Sequence, residues 1–217
     1  MLKSNSCVIV LVFVASLFFG ITLVNAEDKS SGYVIMQTDA VTPVSGKTFL
    51  TQDVNLYFTD GGKLGTGIDT TFNENGYRKM KPFATWRTDN NLTLIGGFSA
   101  DSSDAHHVFG GFNYFRLFGK SNSIFVSPNF YFSLEEKSSN FFDFFAEVKH
   151  DLGNDFALAL EVVYDYWPES ETSWGLVGPV FHYKLTKNLD VYTRVSGETD
   201  LNEWTAFGLR AGLSWSF

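Results

Sequence analysis

The fifteen residues from Glu203 to Phe217 alternate in character with a period of two. Counting back from Phe217, one side carries Trp215, Leu213, Ala211, Leu209 and Phe207. The other carries Ser216, Ser214, Gly212, Arg210, Gly208 and Ala206. Successive side chains of a strand turn to opposite faces, so this segment has one greasy, aromatic face and one small, polar face. A strand finishing on an aromatic ring would fray in water, but suits a lipid surround with the ring at the membrane interface.

Alternating aromatics closed by a terminal Phe resemble the last strand of Gram-negative outer-membrane β-barrels, where the terminal residues serve as an assembly signal. The resemblance covers only the final strand and points to a superfamily, not to a function. It implies an all-β transmembrane antiparallel up-and-down barrel. It gives Phe217 and Trp215 the signal role, with the barrel assembly machinery and the lipid and lipopolysaccharide of the outer membrane as partners.

The other end of the chain agrees. Lys3 is the only charge before an apolar run from Cys7 to Val24, followed by Val24-Asn25-Ala26 and then Glu27 and Asp28. A basic start, an apolar middle and small residues three and one before a cut site read as a secretory signal, residues 1–26, cleaved to leave a barrel of residues 27–217. The alternative is an anchoring helix, since a run of about 18 residues is marginally long enough to span. The single cysteine, Cys7, leaves with the signal, which excludes disulfides and thiolate metal sites from the remainder. With 16 Lys and Arg against 24 Asp and Glu, the formal net charge of −8 argues against a nucleic-acid partner. No cofactor is indicated.

Turn signals recur at Thr59-Asp60-Gly61-Gly62, Asp89-Asn90-Asn91, Gly119-Lys120-Ser121-Asn122, Leu152-Gly153-Asn154-Asp155 and Lys187-Asn188. Between them lie alternating segments of the length that transmembrane strands need, about 9 to 11 residues or slightly more. The pattern predicts strands at 32–38, 46–58, 63–72, 77–88, 92–100, 106–117, 123–134, 140–150, 155–167, 173–186, 189–198 and 204–217. Twelve is an even number, as closed single-chain bacterial barrels usually have; ten is the fallback. The alternate connections, including Asp39–Ser45, are mostly longer and acidic. They carry Asp39, Glu74, Asp101, Asp104, Glu135, Glu136, Glu169, Glu171, Glu198, Asp200 and Glu203, in or beside them. Solvation of exposed loops explains these acids; bridging to lipopolysaccharide phosphates through divalent cations is the sharper alternative.

Parity then sorts the faces. Inward fall Asp143, Glu147 and Lys149; Glu161 and Asp165; Lys79, Lys81, Thr85 and Arg87; His182 and Lys184; Asp190 and Arg194; Arg210; and Asp53, Asn55 and Asp69. Charges must avoid hydrocarbon, so a polar interior is forced. Their distribution predicts an acidic wall (Asp143, Glu147, Glu161, Asp165) opposed to bases on 77–88, with further bases on the last three strands. Such walls set a transverse field across an open lumen, or ion pairs cross-link the interior shut. Aromatic residues also map inward: Tyr57, Phe83, Phe125, Tyr131, Phe145, Trp167, Tyr192 and Trp204. Pro82, Pro128 and Pro179 sit inside strands and fit the pattern poorly; all three fall on the lipid side, where a bulge can be accommodated. Arg116 breaks the parity of 108–118, which calls for a bulge or for a place at the interface.

Linear catalytic motifs are missing: no G-x-S-x-G, no H-x-x-E-H, no phosphate loop. His106 and His107 are adjacent and so point apart on a strand, which argues against a metal site. The sequence therefore resembles a small porin-like outer-membrane barrel. The expected function is passive diffusion of small polar solutes, with Asp143, Glu147, Glu161, Asp165, Lys79, Lys81, Arg87, His182, Lys184, Arg194 and Arg210 as lumen and selectivity candidates. The alternatives are a lipid-acting barrel hydrolase, to be signalled by a Ser/His pair at the outer rim, and a closed structural or adhesive barrel. A soluble lipocalin-like binder would not expose rings such as Phe130, Phe132, Phe142 and Phe144.

Overall fold

The computed structural model describes residues 31–59, 61–73, 76–89, 91–103, 105–136 and 138–217. The expected signal segment and the acids Glu74 and Asp104 lie outside the described residues. The chain forms strands β1 (Ser31–Pro43), β2 (Phe49–Thr59), β3 (Leu64–Asn73), β4 (Gly76–Arg87), β5 (Leu92–Asp101) and β6 (His106–Phe118). These are followed by β7 (Asn122–Ser133), β8 (Phe141–Gly153), β9 (Phe156–Trp167), β10 (Thr172–Thr186), β11 (Leu189–Thr199) and β12 (Trp204–Ser216). Each strand pairs antiparallel with its neighbours in sequence, and β12 returns to β1 to close the barrel. The twelve-strand expectation holds, including the first strand, without which the count would be odd.

Local chemistry explains the hairpins. Asn154 and Asp155 both take positive φ, 52° and 66°, between the paired residues Gly153 and Phe156. That is the left-handed two-residue turn whose twist matches antiparallel strands, and Asn and Asp tolerate it best after Gly. The short turns, at 60–63, 88–91, 119–121, 154–155 and 187–188, share one end with Ser31 and Phe217 (the turn end). The alternate connections run from two residues at 74–75 to seven at 134–140 (the loop end).

Closure runs to the last residue. Gly32 and Phe217 exchange both backbone hydrogen bonds, each at 3.1 Å. The Phe217 ring covers Gly32 and contacts the rings of Phe58 and Trp215. On the outer face of this seam Val34, Met36 and Val54 pack with Leu56, Phe72, Leu213 and Trp215. Elsewhere the outer face is an apolar belt, with Phe130, Phe132, Leu160, Val195, Phe207 and Leu209 each at least half exposed. A surface of this kind associates in water and is at rest in hydrocarbon.

Neither place where the sequence allowed a bulge contains one. The ladder skips the residues around Pro82, Pro128 and Pro179 on one side, as a missing N–H dictates, yet the register is unchanged across each gap. No bulge forms there. Glycines lie against two of the proline carbonyls: a Cβ on Gly97 would lie 2.3 Å from the Pro82 carbonyl, and one on Gly111 2.1 Å from that of Pro128. The register of β6 is likewise regular, so Arg116 does face outward, two residues from the turn end of its strand. Register shifts occur near strand ends, between Thr71 and Phe72, Asp151 and Gly153, Lys184 and Thr186, and Glu198 and Thr199. The last of these turns Trp204 over Gly197 on the outer face, so this ring does not line the lumen as parity predicted.

Candidate functional site

Strand β1 continues to Pro43, five residues past its expected end, and this moves Asp39 from a solvated loop into the barrel wall. There it is a register partner of Arg210. Arg210 Nε donates to both Asp39 carboxylate oxygens, at 2.8 and 3.0 Å. Arg194, the register partner of Arg210 on β11, donates from Nη2 to Asp39 at 3.1 Å and from Nη1 to Glu161 on β9. Arg210 Nη1 lies 3.5 Å from the same Glu161 oxygen. The two acids and two bases thus form a neutral clasp over β9 to β1. It crosses β10 because Gly178, the register partner of Glu161, has no side chain to block Arg194. Arg194 is 3% exposed and Asp39 and Glu161 are each 5% exposed, so the clasp is sealed, with Arg210 as its half-buried lid. Beside it, Tyr192 donates to Gln37 Oε1 at 2.7 Å, and Gln37 donates to Asp53 at 3.0 Å.

The facing side of the lumen is built differently. Lys81 on β4 lies 3.5 Å from Asp69 on β3 and reaches the Tyr131 hydroxyl on β7, 3.4 Å away. Asp143 and Asp165 are register partners on β8 and β9, with Lys79 and Lys81 within electrostatic reach. Lys79 lies over the Tyr131 and Phe141 rings, and Lys81 over Phe109. These rings belong to a continuous inward arc: Tyr33–Tyr57–Phe83, then Phe109–Tyr131–Phe141–Trp167. Phe83 lies across Gly67, and Phe109 across Gly97. The side chains of Lys81 and Asp69 keep 20% and 29% of their surface open to water.

Nearer the turn end sits a third group. His182 lies 3.4 Å from Asp190 and 3.9 Å from Glu147, and Lys149 lies 3.7 Å from Asp190. Lys184 is the register partner of Asp190 and is exposed at that mouth. Arg87 ends β4 at the same mouth and joins none of the three groups; its backbone N–H binds the Lys63 carbonyl. The expected single acidic wall is therefore split. Glu161 is taken up by arginines, Glu147 faces His182, and only Asp143 and Asp165 remain together opposite the lysines. Asp39 is the clasp residue that sequence reasoning misplaced; its parity with Tyr33, Ile35 and Gln37 was the available signal.

At the loop end, His106 and His107 point to opposite faces. The His106 ring binds Glu135 and stacks on Phe98, while its backbone N–H donates to Glu135 at 2.9 Å. That hydrogen bond, more than the nearby imidazole, holds the Glu135 carboxyl below the usual carboxylate range. His107 turns inward, edge-on to Tyr131 and Phe141, with Nε2 3.2 Å from the Ser138 hydroxyl and 3.1 Å from the Ser139 carbonyl. This is a Ser/His pair at the outer rim. A carbonyl only accepts, so the Ser139 contact requires Nε2 to carry the hydrogen, and Nε2 is then unable to take the Ser138 proton. Among the described residues no group of three His, Cys, Asp or Glu side chains could hold a metal ion.

No family model and no curated protein matches the sequence. Solved structures match the fold. The chain is similar to the KdgM porin, with 12% identity, a TM-score of 0.64, and 85% of this chain and 99% of that one covered. A second KdgM structure, in complex with disordered oligogalacturonate, aligns at 13% identity and a TM-score of 0.62 over the same shares. An outer-membrane channel from Pseudomonas putida F1 aligns at 10% identity and a TM-score of 0.56, over 88% of this chain and 97% of that one. At these identities the likeness establishes the architecture: this chain has the twelve-stranded closed-barrel fold that outer-membrane porins use.

Proposed function

We propose that the protein is an outer-membrane channel for passive diffusion of small polar solutes, exported through a cleaved N-terminal signal and inserted by the barrel assembly machinery into a membrane bearing lipopolysaccharide. One observation carries the reading: a closed barrel with an apolar outer belt and an inward face of charged side chains, several still open to water. Low-dielectric walls focus the field of such charges and make them a filter. The similar folds named as porins and channels support it. The test is single-channel recording of the chain purified from membranes of expressing cells. Discrete conductance steps are expected; a folded barrel giving none would reject the channel.

The Ser138–His107 contact favours a second reading, a barrel hydrolase. The hydrogen on Nε2 speaks against it, and so does the ring's position among Tyr131 and Phe141, away from the lipid face. Ser138→Ala should leave any lipid hydrolysis by the purified protein unchanged. A loss of measurable lipase activity in that variant would revive the enzyme.

A further inference from the structure

We propose that the lumen prefers cationic and amine-bearing solutes to acidic ones, and that Asp143 and Asp165 set this preference. The inference rests on the channel reading and assigns its substrate class. It begins with which charges a solute can feel. Arg194 and Arg210 are matched two against two by Asp39 and Glu161, so the clasp presents no net charge and Arg194 is closed off from water.

At the turn end Lys149 and Lys184 are matched in number by Glu147 and Asp190, so the wall from β2 to β9 is left with Lys79 and Lys81 against Asp53, Asp69, Asp143 and Asp165. Lys81 is engaged by Asp69 at 3.5 Å. Lys79 is left facing both members of the β8–β9 carboxyl pair. Asp143 and Asp165 are register partners, and even counted as a single charge they leave the acids on this wall in excess of the bases. Both lysine ammonium groups are held against the wall over ring faces, Lys79 over Tyr131 and Lys81 over Phe109, at 5.5 and 5.6 Å from the centroids. An excess of carboxylate attracts ammonium groups and repels polyanions.

The experiment is the reversal potential of single channels under a KCl gradient, for the full chain purified from membranes and for Asp143→Asn/Asp165→Asn. The wild-type channel is expected to pass potassium several-fold better than chloride, and the double variant to fall close to no preference. Chloride preference in the wild type, or an unchanged ratio in the variant, would overturn the proposal while leaving the channel intact. Absence of steps would remove the channel reading and this inference with it. Should the double variant not fold, liposome swelling with wild-type protein decides alone. Glucosamine should enter faster than glucuronate of similar size, and equal or reversed rates would count against the assignment.

Discussion

Two walls of one lumen use charge in opposite ways. The clasp from β9 to β1 pairs every charge it buries, and all of it but the Arg210 lid is closed off from water. The wall from β3 through β9 leaves Lys79, Lys81, Asp143 and Asp165 incompletely matched and partly wet. Burying a charge costs several kcal/mol unless partners and hydrogen bonds offset it, so the clasp is tolerable only as a complete set. Wetted charges escape that penalty and keep a field that reaches a solute. The difference teaches that the number of lumen charges says little; their closure into neutral groups decides which of them stay wetted and which only brace the wall.

The strongest way to break this contrast is to open the clasp. Arg194→Met leaves Asp39 and Glu161 sealed with only Arg210 between them, and should cost about 3–5 kcal/mol. Urea unfolding in detergent, followed by the gel shift of the heated barrel, measures it. Asp165→Asn on the wet wall should lose far less. If the two variants proved equally stable, the division into sealed and wetted walls would be wrong.

A smaller effect is expected from backbone packing under the clasp. A Cβ on Gly178 would lie 2.1 Å from the Val195 carbonyl, so Gly178→Ala forces the backbone apart beside Glu161, at about 1–3 kcal/mol. Gly96→Ala, on β5 of the other wall, meets nothing nearer than the Phe109 carbonyl at 3.4 Å and should be close to neutral. The same unfolding assay separates them.

Face was legible in the sequence, and height and partnership were not. Period-two parity sorted Glu161, Asp165, Tyr192 and Arg194 correctly, because lipid outside and water inside leave little freedom. It failed at Trp204, where a register shift between Glu198 and Thr199 reverses the side, and no residue there advertises a shift. The end of β1 was missed because Thr42-Pro43-Val44-Ser45-Gly46 reads as a turn. Pro43 nevertheless pairs with Ala206, since a strand end needs no N–H from its last residue. That Lys81 meets Tyr131 three strands away, or that Arg194 reaches Glu161 across Gly178, follows from closure and register, which no single segment encodes.

The clasp also straddles the seam where β12 meets β1, with Phe217 sealing the outer side. Removing the ring by Phe217→Ala leaves the backbone pair with Gly32 intact, so detergent refolding should change little. The yield of folded barrel in cells should drop several-fold if the ring is read by the proposed assembly machinery. Equal losses in detergent and in cells would make Phe217 a packing residue only.

The smallest effect concerns the rim above the wet wall, where one carboxylate ties the 134–140 loop to β6. Glu135 is half-buried at the rim, so its contribution to global stability is slight, but its local consequence has a definite sign. The His106 backbone N–H lowers the Glu135 pKa in the folded chain. A depressed carboxyl stabilises the tie fully above its unfolded value, near the ordinary 4.5 of a glutamate, and loses it as pH falls through the lower folded value. The loop should therefore stay closed at neutral pH and loosen only in acid. Hydrogen exchange at the His106 amide, corrected for the intrinsic rate, should quicken as the medium is acidified below that range, and Glu135→Gln should weaken protection already at neutral pH. Because Lys79 and Asp143 lie deeper in the lumen, ion preference should be the same in Glu135→Gln as in the wild type. A change there would mean that the rim, and not the wet wall, filters the solute.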